Sequence, residues 1–267
     1  MLALEEVGQG HFPVVLIHGN SSSRDVFRKQ LDNGLFTDYR LIAIDLPGHG
    51  RSEDAVNPAE TYTLPGLAGA VSEVLENIGV SDPVVLGWSL GGHIAIEMLA
   101  SFRQMRALLL CGTPPIGKHQ GKNNMAEGYN NSPRSLPAPD RRMNESEARS
   151  FVYRIWRGTG DDRLIEAAMR TDGRFRRRLL DSSLEGSGVN QRKIVETAQI
   201  PIGVINGADD TLIKAEFFKQ LLFPNLWERQ IHIAQNAGHA PFWEQPKEFN
   251  QLLSRFLSFA QISSKKS

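Results

Sequence analysis

Short apolar runs alternate along this chain with longer stretches of helical periodicity, and this alternation constrains the fold more than any other feature. The runs are Val14–Ile17, Tyr39–Ile44, Val84–Leu86, Ala107–Leu110, Ile202–Ile205 and Gln230–Ile233. Apolar residues recur at helical spacing in Leu64–Ile78, Gly92–Ala100 and Phe249–Phe259. Short runs without polar alternation are typical of strands covered on both faces. The pattern therefore predicts an α/β fold, with a mostly parallel central sheet flanked by helices and joined by right-handed crossovers.

One long stretch, residues 116–197, contains no convincing strand and interrupts this alternation. Helical patterns occur in it at Glu145–Trp156 and Arg163–Met169. Because a long insertion between two strands is usually functional, we expect residues 116–197 to form a helical cap over the site. The core would then comprise residues 1–115 and 198–262, and residues 263–267 would form a flexible tail. We expect the arginines of the insertion, Arg174 and Arg176–Arg178, to lie on a solvated helix face.

Composition narrows the class of protein. Lys plus Arg and Asp plus Glu both number 30, so the net charge is zero, and neither a nucleic-acid nor a membrane-surface partner is expected. The one cysteine, Cys111, ends an apolar run and is expected to be a buried structural thiol. The N-terminal residues lack the pattern of a secretory signal, which favours a cytoplasmic location. The oligomeric state is left open.

The segment Gly87–Gly91 has the pattern G-x-S-x-G and stands between a predicted strand and a predicted helix. In that context the tight turn needs small neighbours and raises the Ser89 hydroxyl at the edge of the sheet. The helix that follows offers its N-terminus to developing negative charge. Ser89 is therefore the candidate nucleophile, and the alternative is an ordinary strand–helix turn.

A serine nucleophile needs a base, and the base needs an acid that orients it. His239 follows the last predicted strand, where a base is expected. Asp209 and Asp210 follow the preceding strand, and the spacing after Gly207 selects Asp210, with Asp209 as the alternative. The candidate triad is therefore Ser89, His239 and Asp210.

The oxyanion of acyl transfer needs backbone donors as well. The N–H of Leu90, directly after the nucleophile, is one candidate, and the N–H of Asn20, in the loop after the first core strand, is the other. The side chain of Asn20 could instead bind substrate or brace the serines that follow it.

Two other hydrolytic mechanisms are not supported by the residue types. The chain lacks the H-x-H-x-D-H cluster of a binuclear metal lactonase, so no metal site is predicted. A serine rather than an aspartate stands at the tight turn, which argues against the alkyl-enzyme chemistry of dehalogenases and epoxide hydrolases.

Taken together, these motifs resemble the α/β-hydrolase superfamily over nearly the whole chain. Within it, the chain resembles the metal-independent N-acyl-homoserine lactonases. The segments that carry the finer resemblance are His18–Ser23, Gly87–Ile94, Gly112–Pro115, Thr171–Arg174, Asn190–Arg192 and Asn236–Phe242. The chain departs from that group in two ways. Its matching acid is Asp210 instead of a glutamate, and residues 1–13 have room for one strand before Val14 where the group usually has two.

The resemblance implies opening of the lactone ring of N-acyl-homoserine lactones, with a small acyl lactone or ester as partner and no cofactor. The acyl chain would contact Trp88 and the cap residues Phe151, Ile155, Trp156 and Met169. Their helical spacing is equally well explained by packing inside the cap. Two rival functions stay open: a general carboxylesterase, and a small-molecule receptor that keeps the hydrolase fold but signals through a partner protein.

Overall fold

The central feature of the computed structural model is a seven-stranded sheet. The structure describes residues 1–102, 104–130 and 140–263. The strands of the sheet are β1 Leu4–Val7, β2 Phe12–Ile17, β3 Tyr39–Ile44, β4 Val84–Trp88, β5 Ala107–Cys111, β8 Ile202–Gly207 and β9 His232–Ala234. Two further short strands, β6 Lys118–His119 and β7 Lys122–Asn123, form a separate hairpin. The sheet order is β1-β3-β2-β4-β5-β8-β9, and only β1 runs antiparallel to its neighbour. The predicted mostly parallel sheet is confirmed, and a single strand precedes β2.

Helices cover both faces of the sheet and form most of the insertion. They are α1 Arg28–Leu31, α2 Pro58–Thr61, α3 Leu64–Asn77, α4 Leu90–Ser101, α5 Met125–Gly128, α6 Glu145–Trp156, α7 Asp162–Arg170, α8 Gly173–Leu184, α9 Gln191–Thr197, α10 Pro241–Glu244 and α11 Pro246–Ser263. Local signals set several of their boundaries. Thr63 accepts the Gly66 N–H at the start of α3, and Asn144 and Glu147 form a capping box on α6.

The strands are buried because apolar side chains point to both faces of the sheet. Val14, Leu16 and Leu109 belong to one buried cluster, and Val15 and Ile17 belong to a second. Each strand thus contributes alternate residues to two cores, which explains why its sequence reads as a continuous apolar run. Cys111 is fully buried at the end of β5, as the sequence predicts, and burial raises its thiol pKa well above the ordinary value.

The insertion is predominantly helical, with two corrections to the sequence prediction. The strands β6 and β7 form a small antiparallel hairpin in a stretch where no strand was expected. Arg176 is buried, whereas Arg174, Arg177 and Arg178 remain partly exposed. Its position on α8 turns it inward, toward the loop after β2. Of the predicted tail, only Ser263 is among the described residues, and it ends α11.

Polar contacts tie the corner between α7 and α8 to the loop after β3. The Asp172 N–H donates to the Gly48 carbonyl at 2.8 Å, and the Tyr62 hydroxyl donates to the Asp172 carboxylate at 2.5 Å. Nearby, Arg170 forms an ion pair with Asp54 at 2.8 Å. Several of these groups are buried, so this corner is held more firmly than a surface ion pair alone would hold it.

Candidate active site

Ser89 stands on a strained turn between β4 and α4, with φ of 54° and ψ of −117°. Neighbouring backbone approaches so closely that side chains are excluded. A Cβ on Gly87 would lie 2.4 Å from the Gly91 carbonyl oxygen, and one on Gly91 would lie 2.1 Å from that of Ile17. The Ser89 N–H donates to the Cys111 carbonyl at 2.8 Å, which ties the turn to the end of β5. A strained serine at the carboxyl edge of a parallel sheet is the arrangement of an exposed nucleophile.

His239 and Asp210 form a buried hydrogen-bonded pair. The distance from His239 Nδ1 to Asp210 Oδ2 is 2.8 Å, and the two side chains are 4% and 2% exposed. Since the carboxylate accepts the Nδ1 hydrogen, Nε2 is the nitrogen left to accept a proton. The His239 carbonyl accepts the Trp88 Nε1–H at 2.8 Å. This bond connects the histidine loop directly to the residue before Ser89.

The structure distinguishes the two neighbouring aspartates. Burial opposes ionisation of Asp210, but the charge and hydrogen bond of His239, with the Leu212 N–H at 2.9 Å, hold its pKa below the usual range. Asp210 therefore stays ionised and can stabilise an imidazolium. Asp209 is 47% exposed and forms an ion pair with Arg157 at 2.9 Å. The geometry places Asp210 and not Asp209 against the candidate base.

The loop after β2 packs directly on the nucleophile turn. A Cβ on Gly19, the residue before Asn20, would lie 2.8 Å from the Trp88 ring and 3.3 Å from the Ser89 Cβ. Leu90 is the first residue of α4, and its N–H has no acceptor within the helix. Both predicted oxyanion donors therefore belong to segments that pack at the Ser89 turn. The Asn20 side chain braces Ser21, because its Oδ1 accepts the Ser21 hydroxyl at 2.8 Å.

Two further histidines, His18 and His49, support this loop. The Leu46 N–H donates to His18 Nε2 at 3.1 Å, and the Ser21 N–H donates to His49 Nε2 at 3.3 Å. Each ring therefore carries its hydrogen on Nδ1, which donates to a carbonyl oxygen. Burial lowers the pKa of both imidazoles and keeps them neutral. The sequence pattern around His49, a Pro-Gly loop, does not by itself indicate this role.

The residues predicted to contact substrate form an aromatic wall beside His239. The Trp88 ring lies 5.7 Å from the His239 ring and 5.3 Å from that of Trp156, measured between centroids. Trp156 and Ile155 are buried in the core cluster, and Phe151 packs against it partly buried. Packing within the insertion therefore explains much of their spacing. Trp156 Nε1 is buried without a hydrogen-bond partner in the described part of the chain.

A buried carboxylate, Glu244, positions the histidine loop and was not found from the sequence. Its oxygens accept the Gly238 N–H at 3.0 Å and the Ala240 N–H at 3.4 Å, on either side of the histidine. Arg157, at the end of α6, lies 3.7 Å from the same carboxylate. An acid five residues after the histidine, at the end of the short helix α10, is the signal that could have identified it.

No metal-binding cluster is found at this site or elsewhere: among residues 1–102, 104–130 and 140–263, no three His, Cys, Asp or Glu side chains could jointly hold a metal ion. None of the described helices is long and apolar enough to cross a membrane. The arrangement of a strained serine, a histidine–carboxylate pair and two backbone donors is suited to acyl transfer.

Comparison with known proteins identifies the family of this chain. The model of a family described as "Alpha/beta hydrolase family" matches residues 14–252. A curated 2-hydroxy-6-oxononadienedioate/2-hydroxy-6-oxononatrienedioate hydrolase from Pseudomonas sp is 25% identical over 263 residues, covering 96% of this chain and 91% of that protein.

Solved structures are similar over nearly the full length of the chain. A variant of the N-acyl homoserine lactonase AidH in complex with N-hexanoyl homoserine is 40% identical, with a TM-score of 0.91 and coverage of 97% of this chain and 93% of that one. The esterase RhEst1 from Rhodococcus sp. is 25% identical, with a TM-score of 0.76 and coverage of 96% and 94%. The chain belongs to the alpha/beta hydrolase family.

Proposed function

We propose that this protein opens the lactone ring of N-acyl-homoserine lactones, with Ser89 as nucleophile, His239 as base and Asp210 as the acid that orients it. The observation that carries the proposal is the 2.8 Å His239–Asp210 bond, buried beside the strained Ser89 turn. The choice of substrate rests on the likeness, at 40% identity, to lactonase AidH structures in complex with N-hexanoyl homoserine and N-butanoyl homoserine.

In the proposed reaction, Ser89 Oγ attacks the lactone carbonyl carbon while His239 Nε2 takes the hydroxyl proton. The oxyanion accepts hydrogen bonds from the Asn20 and Leu90 N–H groups. The bond between the carbonyl carbon and the ring oxygen then breaks, and the imidazolium returns its proton to that oxygen. Water, deprotonated by His239, then attacks the acyl-enzyme, the bond between the acyl carbon and Ser89 Oγ breaks, and the imidazolium returns its proton to Ser89 Oγ as the N-acyl-homoserine leaves.

We further propose that residues 116–197 act as a cap over this site. The arguments are that Trp156 of the insertion packs on Trp88, and that Arg157 pairs with Asp209 beside the acid. The acyl chain would then lie between Trp88 of the core and the insertion, against Phe151, Ile155 and Met169. An apolar lining of this kind suits a hydrocarbon chain, since burying each CH₂ group contributes about 0.8 kcal/mol.

The test is an incubation of the purified protein, treated with a chelator, with N-hexanoyl-homoserine lactone, followed by mass spectrometry. We expect a product heavier by one water with its amide intact, and no product from Ser89→Ala. Free homoserine lactone with hexanoic acid would identify an acylase instead. An unchanged lactone together with rapid hydrolysis of p-nitrophenyl esters would identify a carboxylesterase, and ligand binding without turnover would identify a receptor.

A further inference from the structure

Arg176, on α8, is a buried cation without a counter-ion. Only 6% of its surface is exposed, and no carboxylate lies at ion-pair distance among the residues that the structure describes. Arg174, Arg177 and Arg178, on the same helix, each pair with an acidic side chain. Burial lowers the pKa of Arg176, although an arginine remains protonated. Burying an unpaired guanidinium is costly, so this position calls for a specific explanation.

The guanidinium of Arg176 is directed at the loop after β2. Its Nη1 donates to the Ser21 hydroxyl at 3.1 Å, and its Nη2 donates to the Arg141 carbonyl at 2.9 Å. Ser21 has φ of 53°, a left-handed conformation that L-residues rarely adopt. The Ser21 hydroxyl in turn donates to Asn20 Oδ1 at 2.8 Å. A series of hydrogen bonds thus leads from α8 to Asn20, which follows the glycine that packs on Ser89.

Arg176, the donor at one end of this series of hydrogen bonds, determines the orientation of the Asn20 amide at the other end. Arginine can only donate, so the Ser21 oxygen accepts from Arg176. The one hydroxyl hydrogen of Ser21 then goes to Asn20 Oδ1, which turns Asn20 Nδ2 away from Ser21. In the described residues nothing accepts a hydrogen bond from Nδ2, so its hydrogens remain available. Without Arg176, the Asn20 amide could flip and the strained loop could relax.

We propose that Arg176 is a positioning residue for the reaction: through Ser21 it holds the Asn20 N–H and Nδ2–H groups in one orientation toward the substrate. The inference rests on the proposed function, since it assumes that Asn20 stabilises the oxyanion. Direct capture of a substrate carboxylate by Arg176 is less favoured, because Nη1 and Nη2 are already engaged and only Nε lacks a partner.

The experiment compares Arg176→Met, Arg176→Lys and Ser21→Ala with the control Arg177→Met, an exposed arginine on the same helix. We expect kcat to fall ~10-fold in Arg176→Met with KM nearly unchanged, because the misplaced donors act in the transition state. Arg176→Lys should recover part of kcat, since it can still donate to Ser21. Ser21→Ala should resemble Arg176→Met, and the double variant should be no worse than either.

Three results would overturn the inference: wild-type kcat in Arg176→Met or in Ser21→Ala, losses that add in the double variant, or a raised KM at unchanged kcat. If Arg176→Met fails to fold, the lysine and Ser21 variants carry the test, because each removes fewer contacts.

A readout that does not depend on the substrate separates this inference from the proposed function. Phosphonylation of Ser89 by a fluorophosphonate also places an oxygen against the Asn20 and Leu90 donors. We expect labelling to slow ~10-fold in Arg176→Met and not in Arg177→Met. Equal labelling rates would refute the role of Arg176 alone. Failure to open the lactone, with the labelling difference intact, would refute only the proposed function.

Discussion

His93 makes the stability of this protein depend on pH through a network whose hydrogen positions are fixed. Its Nδ1 lies 2.7 Å from Gln191 Oε1, and the Gln191 amide is oriented by donating to the His93 carbonyl. Nδ1 therefore carries the hydrogen, and Nε2 accepts the Tyr129 hydroxyl hydrogen. Protonation of Nε2 would remove the acceptor of the Tyr129 hydrogen and place a charge inside the core. His93 stands one turn after Ser89 on α4, so the network lies directly beneath the nucleophile turn.

The size of the effect follows from the pKa of His93. The pKa falls from 6.5 to about 4: burial lowers it most, the bond to Gln191 opposes the change, and the charge of His239 also lowers it. In the unfolded chain His93 takes up a proton near pH 6.5, but in the folded protein only near pH 4. The contribution of neutral His93 to the free energy of unfolding is therefore fully present above pH 6.5 and is lost as the pH falls to 4. A difference of about 2.5 between the two pKa values corresponds to ~3 kcal/mol.

The assay is urea unfolding of wild type and His93→Gln at a series of pH values between 7.5 and 4. Comparison with a variant is necessary because burial also lowers the pKa of His18, His49 and His232. We expect the free energy of unfolding of wild type to fall by ~3 kcal/mol more than that of the variant. The exposed His11→Gln should follow wild type. Parallel pH curves for wild type and His93→Gln would refute the reasoning.

Three further changes test the site and its frame. Asp210→Asn should lower kcat by ~10³–10⁴, whereas Asp209→Asn should stay within about 2-fold, measured by steady-state kinetics; equal losses would reject the assignment of the acid. Gly91→Ala should lower the free energy of unfolding by ~3 kcal/mol or more, because its Cβ would lie 2.1 Å from a backbone oxygen of β2. The control Gly69→Ala, in open space on α3, should instead raise the urea midpoint. Glu244→Ala should cost ~1–3 kcal/mol of stability, since two buried N–H groups lose their acceptor, and Glu244→Gln should recover part of it; wild-type stability in the alanine variant would contradict this.

Much of this molecule was predictable from local pattern. The apolar runs predicted the strands, with β3 at the bounds that the structure has, because a strand covered on both faces needs apolar residues at every position. The Ser89 turn was predictable because backbone crowding at Gly87 and Gly91 excludes side chains. The capping residues of α6 placed that helix at Glu145–Trp156, as predicted.

Other features became visible only once distant segments came together. The spacing favoured Asp210, but the distinction from Asp209 depends on a contact with His239, 29 residues away. His49 and Glu244 act by accepting backbone N–H groups, which any suitably placed acceptor can do, so their residue types carry no distinctive signal. The roles of Trp156 and Phe151 as packing or substrate contacts depend equally on how the insertion sits against the core.

The sequence by itself determined the mostly parallel sheet and the candidate nucleophile and base, because local apolar periodicity and tight-turn chemistry leave few alternatives. Only the tertiary structure decided which arginine of α8 is buried. Arg176 and Arg177 are adjacent and chemically identical, yet one turns toward Ser21 and the other pairs with Asp181 at the surface. The side of a helix that faces the core is set by what packs against it, and for α8 that partner lies some 150 residues earlier in the chain.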